Sequence, residues 1–318
     1  MIPERKSQET RYSPVPFDSG AAAKTKTRVP IRPGVAQNVS RAPTEHGARR
    51  RLRVGGTKDQ FRKASTVTKP ISIQLYSVRE EMKHDVWGTL GKIADMGYPA
   101  IEPFNIPGGD VSEAARRISG LGLTVSSYQG GIPVGDQRER LLDETEALGT
   151  TRIVCPSYNR EKFTSTDGLK EIRDVFAEAI DNCAERGLTF GYHNHEFELE
   201  SIVDGKPALL QLAAMLPQLR FTVDTYWVVV GKQSAVEVVN ELGPQANLLH
   251  IKDGPLNRTE PMTAVGAGKM DFAPIVAAAD AAEWLVVELD RCDGDMMTAV
   301  GESLRYLADS GLGTTSLA

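Results

Sequence analysis

Four short apolar runs in the second half of the chain each end on a residue type that binds metal. Thr189-Phe190-Gly191-Tyr192 leads into His193-Asn194-His195, Phe221-Thr222-Val223 into Asp224, Leu248-Leu249 into His250, and Leu285-Val286-Val287 into Glu288. A brief apolar run is how a buried parallel strand reads, and barrel enzymes place their chemistry where such strands end. Imidazole and carboxylate donors delivered together at strand ends are the ligand chemistry of a divalent ion. The pattern predicts a metal centre at the mouth of a barrel.

Such a mouth needs strands and helices in strict alternation. From Pro70 onward a strand-then-helix unit recurs at intervals of about 25 to 35 residues, the length of a βα unit. Eight strands are predicted: 71–75, 100–102, 123–126, 152–155, 188–192, 220–223, 247–251 and 284–288. Amphipathic stretches separate them. Between Leu169 and Arg186, Ile172, Val175, Phe176, Ala179 and Ile180 recur at helical spacing, and Gly187 supplies a helix stop. Gly97 and Gly122 precede their strands in the same way. Regular alternation predicts an α/β protein, and a count of eight favours a closed (β/α)8 barrel over an open sheet. No Gly-x-Gly-x-x-Gly turn follows the first strand, which argues against a dinucleotide-binding fold.

Charge divides the chain of 318 residues, whose net charge is −5. Residues 1–69 hold 16 Lys/Arg and 5 Asp/Glu, which leaves 21 basic and 37 acidic residues in an acidic body. The basic segment lacks helical or strand periodicity and is expected to be a disordered extension, either an over-extended gene model or a basic arm. Its Arg49-Arg50-Arg51-Leu52-Arg53 run has no apolar region after it, so a secretory or twin-arginine signal is not supported. The barrel is assigned to residues 70–312 and a flexible tail to 313–318. No apolar stretch approaches the roughly 20 residues of a membrane span. Cys155, Cys183 and Cys292 are widely separated and odd in number, so no disulfide framework is expected and a cytoplasmic location is the default. Cys155 reads as a small buried hydrophobe.

The body resembles the xylose isomerase-like TIM barrels, the superfamily of sugar isomerases, epimerases and endonuclease IV-type enzymes. The resemblance spans about residues 70–312 and rests on Ile73-Gln74-Leu75-Tyr76-Ser77, Tyr192-His193-Asn194-His195-Glu196-Phe197-Glu198, Val223-Asp224-Thr225, His250-Ile251-Lys252-Asp253, Val265-Gly266-Ala267-Gly268-Lys269-Met270-Asp271-Phe272 and Val287-Glu288. It implies one divalent ion held by a carboxylate after the fifth strand, an Asp, a His and a final Glu. Asp224, His250 and Glu288 match the last three positions. At the first, this chain has His193-Asn194-His195 where relatives supply a carboxylate. With His193 as ligand the site holds two histidines and two carboxylates, which favours Mn2+, Co2+ or Zn2+ over Mg2+. An alternative register puts Tyr192 there and leaves both histidines for substrate. Strand alternation returns His195 to the side of His193 as a candidate general base.

Each remaining candidate has two readings. Asp224 before Thr225 is a metal ligand or a helix cap. Glu198 is a catalytic acid/base group or a loop acid. Lys252, two residues past His250, holds a substrate oxygen or carries a solvent-facing charge. Tyr76 and Trp227 wall a sugar pocket or pack in the core, while Gln74 and Glu102 are placed toward sugar hydroxyls. The Gly266-Ala267-Gly268 glycines permit close approach to a ligand or make a structural turn, and Lys269 is a candidate phosphate contact. The chemistry implied is proton movement beside a carbonyl on a small-molecule sugar: isomerisation or epimerisation, with a lyase or dehydratase on a 3-keto sugar or glycoside as the alternative. A non-catalytic sugar-binding barrel and a nuclease rank lower, since the acidic body opposes nucleic acid. No membrane partner is expected, and a homo-oligomer is compatible.

Overall fold

The computed structural model describes residues 68–317. The expected disordered segment, residues 1–69, falls outside these residues except for Thr68 and Lys69. Eight parallel strands form the centre: β1 (Lys69–Gln74), β2 (Ala100–Glu102), β3 (Thr124–Val125), β4 (Arg152–Cys155), β5 (Thr189–His193), β6 (Arg220–Asp224), β7 (Ala246–Ile251) and β8 (Trp284–Val287). Their order is β3-β2-β1-β8-β7-β6-β5-β4. A parallel bridge between Tyr128, just beyond β3, and Ile153 in β4 joins the two edges. There the Tyr128 N–H donates to the Arg152 carbonyl at 2.9 Å and the Val154 N–H to the Tyr128 carbonyl at 2.8 Å. The ring is thereby closed as predicted, which removes the exposed edges of an open sheet.

Among the described residues each strand is followed, directly or after a shorter helix, by one of eight helices: α1 (Val86–Met96), α2 (Val111–Gly120), α3 (Arg138–Ala147), α4 (Thr166–Ala184), α5 (Ala208–Met215), α6 (Ala235–Leu242), α7 (Phe272–Ala278) and α8 (Met296–Asp309). In α4 the Ser165 side chain caps the first turn, accepting from the Gly168 N–H at 3.1 Å. The buried face carries Ile172, Phe176, Ala179 and Cys183, the three- and four-residue spacing of a helix packed on one side. Gly187 then takes φ +69°, a left-handed turn that glycine adopts without a Cβ clash.

Strand alternation sorts the side chains between two environments. Ile73, Tyr192, Val223, Ile251 and Val287 are fully buried in the apolar core. The opposite set, Ser72, Gln74, Glu102, Ser126, Thr222, Asp224 and His250, is also fully buried but polar. Within it Ser72 Oγ lies 2.8 Å from Ser126 Oγ. Every such group costs free energy unless it is hydrogen-bonded, so the polar interior marks where the fold spends stability on a site.

The C-terminal boundary differs from expectation. Gly313–Thr314, assigned to a flexible tail, pairs in parallel with Lys69–Pro70 at the start of β1. Cys155, Cys183 and Cys292 are free thiols, and Cys155 is fully buried as expected. No helix among the described residues is long and apolar enough to cross a membrane.

The α4–barrel contact centres on Phe176, whose ring lies 5.2 Å from Phe190 and 5.4 Å from both Tyr158 and Tyr192. Phe176→Ala should cost about 3–5 kcal/mol of unfolding free energy, measured as a lowered urea midpoint at unchanged slope.

Candidate metal centre and active site

The ends of β5 to β8 converge. His193, Asp224, His250 and Glu288 each offer one donor atom, all within 4.8 Å of one another and all from buried residues. His193 is the last residue of β5 and Asp224 the last of β6. His250 pairs with Asp224 across the sheet, and Glu288 follows β8 directly. Tyr192 turns the other way, into the aromatic cluster with Phe163 and Phe176, so the register that made it a ligand is not the one adopted.

Both histidines are pinned from behind. His193 Nδ1 faces the Pro156 carbonyl at 3.2 Å, which directs Nε2 toward Asp224 Oδ2 at 3.3 Å. His250 Nε2 meets Glu102 Oε2 at 2.7 Å, and its Nδ1 meets Glu288 Oε2 at 2.7 Å. Once the imidazole is neutral, an acceptor on the outer ring nitrogen fixes the tautomer that puts a lone pair on the inner one. This donor set and its backing fit a divalent ion held by His193 Nε2, His250 Nδ1, Asp224 and Glu288. Asp224 divides its oxygens: Oδ1 caps the following turn by accepting from the Trp227 N–H at 2.9 Å, while Oδ2 faces the cluster. Both readings of Asp224 hold together. Asn194 ties β5 to β6, its Oδ1 accepting from the Asp224 N–H at 3.0 Å.

Charge in the cluster is strongly coupled. Burial alone would lower the His250 imidazole, but the Glu102 and Glu288 carboxylates on its two nitrogens outweigh burial and raise it to about 10. For Glu288 burial acts upward, and Lys252 and His250 more than reverse it, holding the carboxyl well below its usual range. Burial and the neighbouring His250 push His193 down, which keeps it neutral and able to ligate.

The other candidates divide into two groups. His195 lies beside the cluster, its ring 5.0 Å from that of His193, with a side chain 22% exposed. Its Nδ1 has no hydrogen-bond partner and stands 3.9 Å from Glu198 Oε1. Burial opposes protonation of His195, yet Glu198 outweighs it and raises the imidazole. Trp227 is 5% exposed, its ring 5.5 Å from Lys252 Nζ and its Nε1 buried without a partner.

The second group serves the scaffold instead. Glu198 is fully buried; Oε1 accepts from Tyr192 Oη–H at 2.5 Å and Oε2 from the His195 N–H at 2.9 Å. Through these two bonds it positions the His195 backbone against Tyr192. Glu102, placed toward sugar hydroxyls by the sequence, accepts from Gln74 Nε2 at 2.7 Å and from Gln129 Nε2 at 3.2 Å besides meeting His250, and Ser127 Oγ donates to it as well. Gln74 spends its other atom on the Tyr76 N–H at 3.1 Å. Through these bonds Gln74 braces Glu102, and Glu102 backs His250. Tyr76 is half-buried at the mouth, in edge contact with Phe104 at 5.5 Å. Lys269 is exposed and turns to the Pro255 carbonyl at 3.4 Å. Lys252 is buried against carboxylates, not solvent-facing.

Asp253 was quoted in the sequence motif without a role. Its buried carboxylate accepts four backbone N–H groups: Gly254 at 2.8 Å and Met270 at 3.0 Å on Oδ1, Gly266 at 2.9 Å and Gly268 at 3.0 Å on Oδ2. A Cβ on Gly268 would stand 2.1 Å from Asp253 Oδ1. The loop's glycines therefore serve the wrapping of Asp253, which decides for the structural turn. Asp290 was missed outright, although its place two residues past Glu288 repeats the spacing of Lys252 past His250.

The fold and site together define a (β/α)8 barrel with a candidate divalent-metal centre at its C-terminal mouth. The chain belongs to the xylose isomerase-like TIM barrel family, whose model matches residues 90–310. It is similar in structure to a sugar phosphate isomerase/epimerase from Parabacteroides distasonis: 23% identity, 79% of this chain and 96% of that one covered, TM-score 0.64. An L-ribulose 3-epimerase matches at 17% identity over 77% of this chain and 94% of its own, TM-score 0.56. A probable 3-DHS dehydratase from Bacillus anthracis matches at 12% identity over 75% and 98%, TM-score 0.57. At these identities the structural likeness shows the shared fold. Among curated proteins, no sequence matches the chain.

Two outcomes follow from this geometry. Asp224→Ala and Glu288→Ala should each abolish the near-stoichiometric metal expected in wild-type protein purified without chelator, as read by elemental analysis. In chelator-treated protein, the raised His250 value stabilises the fold fully below its unfolded value of about 6.5. That contribution is lost as pH rises through about 10, so melting temperature should fall across this window, and fall less in His250→Gln.

Proposed function

We propose that the chain is a divalent-metal-dependent isomerase or epimerase that moves a proton beside the carbonyl of a sugar, keto-sugar or sugar phosphate. The observation that carries this reading is the buried His193, Asp224, His250 and Glu288 set with His195 beside it at the barrel mouth. A bound Mn2+, Co2+ or Zn2+ ion supplies Lewis-acid polarisation of the carbonyl and adjacent hydroxyl, worth several kcal/mol toward an enediolate. His195 removes the α-proton and returns it. Return by His195 to the neighbouring carbon gives isomerisation; delivery of a proton to the opposite face by a second donor, with His195 keeping the abstracted one, gives epimerisation. Glu198 holds the His195 backbone and sets its charge. The unpartnered Trp227 Nε1–H is a donor ready for a substrate oxygen, since a buried N–H without a partner is costly until ligand arrives. Three free thiols support a reducing, cytoplasmic location.

A carbon–oxygen lyase acting on a 3-keto sugar or glycoside is the second reading. It is favoured by one observation: Glu198 Oε1 stands 3.9 Å from His195 Nδ1 and favours the imidazolium form, which can hand its proton to a departing alkoxide.

Metal-replete protein incubated with ketopentoses and ketohexoses in deuterated water should place deuterium on the carbon next to the carbonyl, and chelator should stop it. Absence of uptake from every member counts against the isomerase reading, and a new ultraviolet-absorbing enone from a 3-keto glycoside selects the lyase. His195→Asn should lower turnover by about 10²- to 10⁴-fold with bound metal unchanged.

A further inference from the structure

Lys252 is 1% exposed, and its ammonium is met by three carboxylate oxygens: Glu288 Oε2 at 2.9 Å, Asp224 Oδ2 at 3.0 Å and Asp290 Oδ1 at 3.0 Å. An ammonium has three N–H donors and no acceptor; here it donates to Asp290 Oδ1 and is ion-paired with the other two oxygens. Two of these oxygens already face the metal ligands. Asp224 Oδ2 is the atom 3.3 Å from His193 Nε2, and Glu288 Oε2 the atom 2.7 Å from His250 Nδ1. The ammonium and a divalent ion would therefore draw on the same pair of oxygens. Two cations on one pair of acceptors repel, and the low dielectric of a buried site magnifies that repulsion. The third partner differs from the other two: Asp290 has a side chain 27% exposed and lies outward of Glu288 along the chain.

We propose that Lys252 is a resident counter-cation of the candidate metal centre: it holds Asp224 and Glu288 together in the metal-free protein and yields both to an incoming divalent ion by withdrawing onto Asp290. This rests on the metal-dependent reading above and adds to it. Buried carboxylates without a cation are unstable, so a site that must exist before metal arrives needs a charge of its own. The flexible four-carbon stem of lysine lets that charge move while staying paired. Lys252 thus competes with the metal, and the centre binds its ion more weakly than four such ligands alone would.

The test is Mn2+ titration calorimetry and thermal melting on the full chain stripped with chelator, comparing wild type with Lys252→Met. Stripped Lys252→Met should melt below stripped wild type, bind Mn2+ at least tenfold more tightly, and gain more in melting temperature on loading. Equal or weaker Mn2+ binding by folded Lys252→Met overturns the counter-cation role while leaving the metal-dependent reading standing. Absence of Mn2+ binding by both proteins removes the metal-dependent reading and the exchange with it. If stripped Lys252→Met does not fold, a crystal structure of Zn2+-loaded wild type decides. Nζ paired with Asp290 alone supports withdrawal, and Nζ still within hydrogen-bond reach of Asp224 Oδ2 and Glu288 Oε2 overturns it.

Discussion

Glu102, Asp224 and Glu288 sit inside the barrel mouth almost without solvent, and an ionised carboxylate taken from water is expensive unless paired and hydrogen-bonded. The arrangement of the mouth follows from meeting that demand. His250 is clamped between Glu102 and Glu288, so one imidazole serves two carboxylates, one from β2 and one from the end of β8. Asp224 is satisfied at one oxygen by a backbone N–H and at the other by His193 and Lys252. The curl of the consecutive strands β2, β1, β8, β7 and β6 brings their ends close enough for such sharing.

Above this layer stands the candidate base. His195 emerges one step outward of His193, is anchored through its backbone to Glu198, and keeps a ring nitrogen unpaired. Glu198 is in turn fixed by Tyr192, whose ring packs with Phe163 and Phe176. A core contact under α4 thereby reaches the candidate base through three side chains. On the opposite side Asp253 gathers four backbone N–H groups and holds the segment between Gly254 and Met270 in one shape. Sites supported by satisfied outer contacts lose little to reorganisation when ligand binds.

Much of this architecture was legible in the residues. Eight apolar runs marked the eight strands to within a residue or two, since burial on both faces demands uninterrupted apolar character where the helices pack. Gly187 marked the end of α4 because the turn there needs a positive φ. His193, Asp224, His250 and Glu288 stood out because ligand types at four successive strand ends are hard to explain otherwise. The sequence left the roles of Glu102, Gln74 and Glu198 open for one reason: a polar residue near a mouth looks the same in sequence whether it faces substrate or backs a ligand. Asp290 was passed over because nothing in its local context distinguishes it from a loop acid.

The sequence by itself determined periodicity, strand count, ligand types and the alternation that puts His193 and His195 on one side, because these depend on neighbours within a few residues. Which oxygen of Asp224 caps a turn and which faces the cluster was decided only by the tertiary structure. So were the placing of Glu102 behind His250 and the meeting of Lys252 with three carboxylates from β6, β8 and the segment beyond. Glu102 and His250 lie 148 residues apart, and their 2.7 Å contact exists because the pairing of β2, β1, β8 and β7 sets strand order and register. Partner choice among buried charges is a property of that closed geometry, in which each group takes the nearest group able to neutralise it.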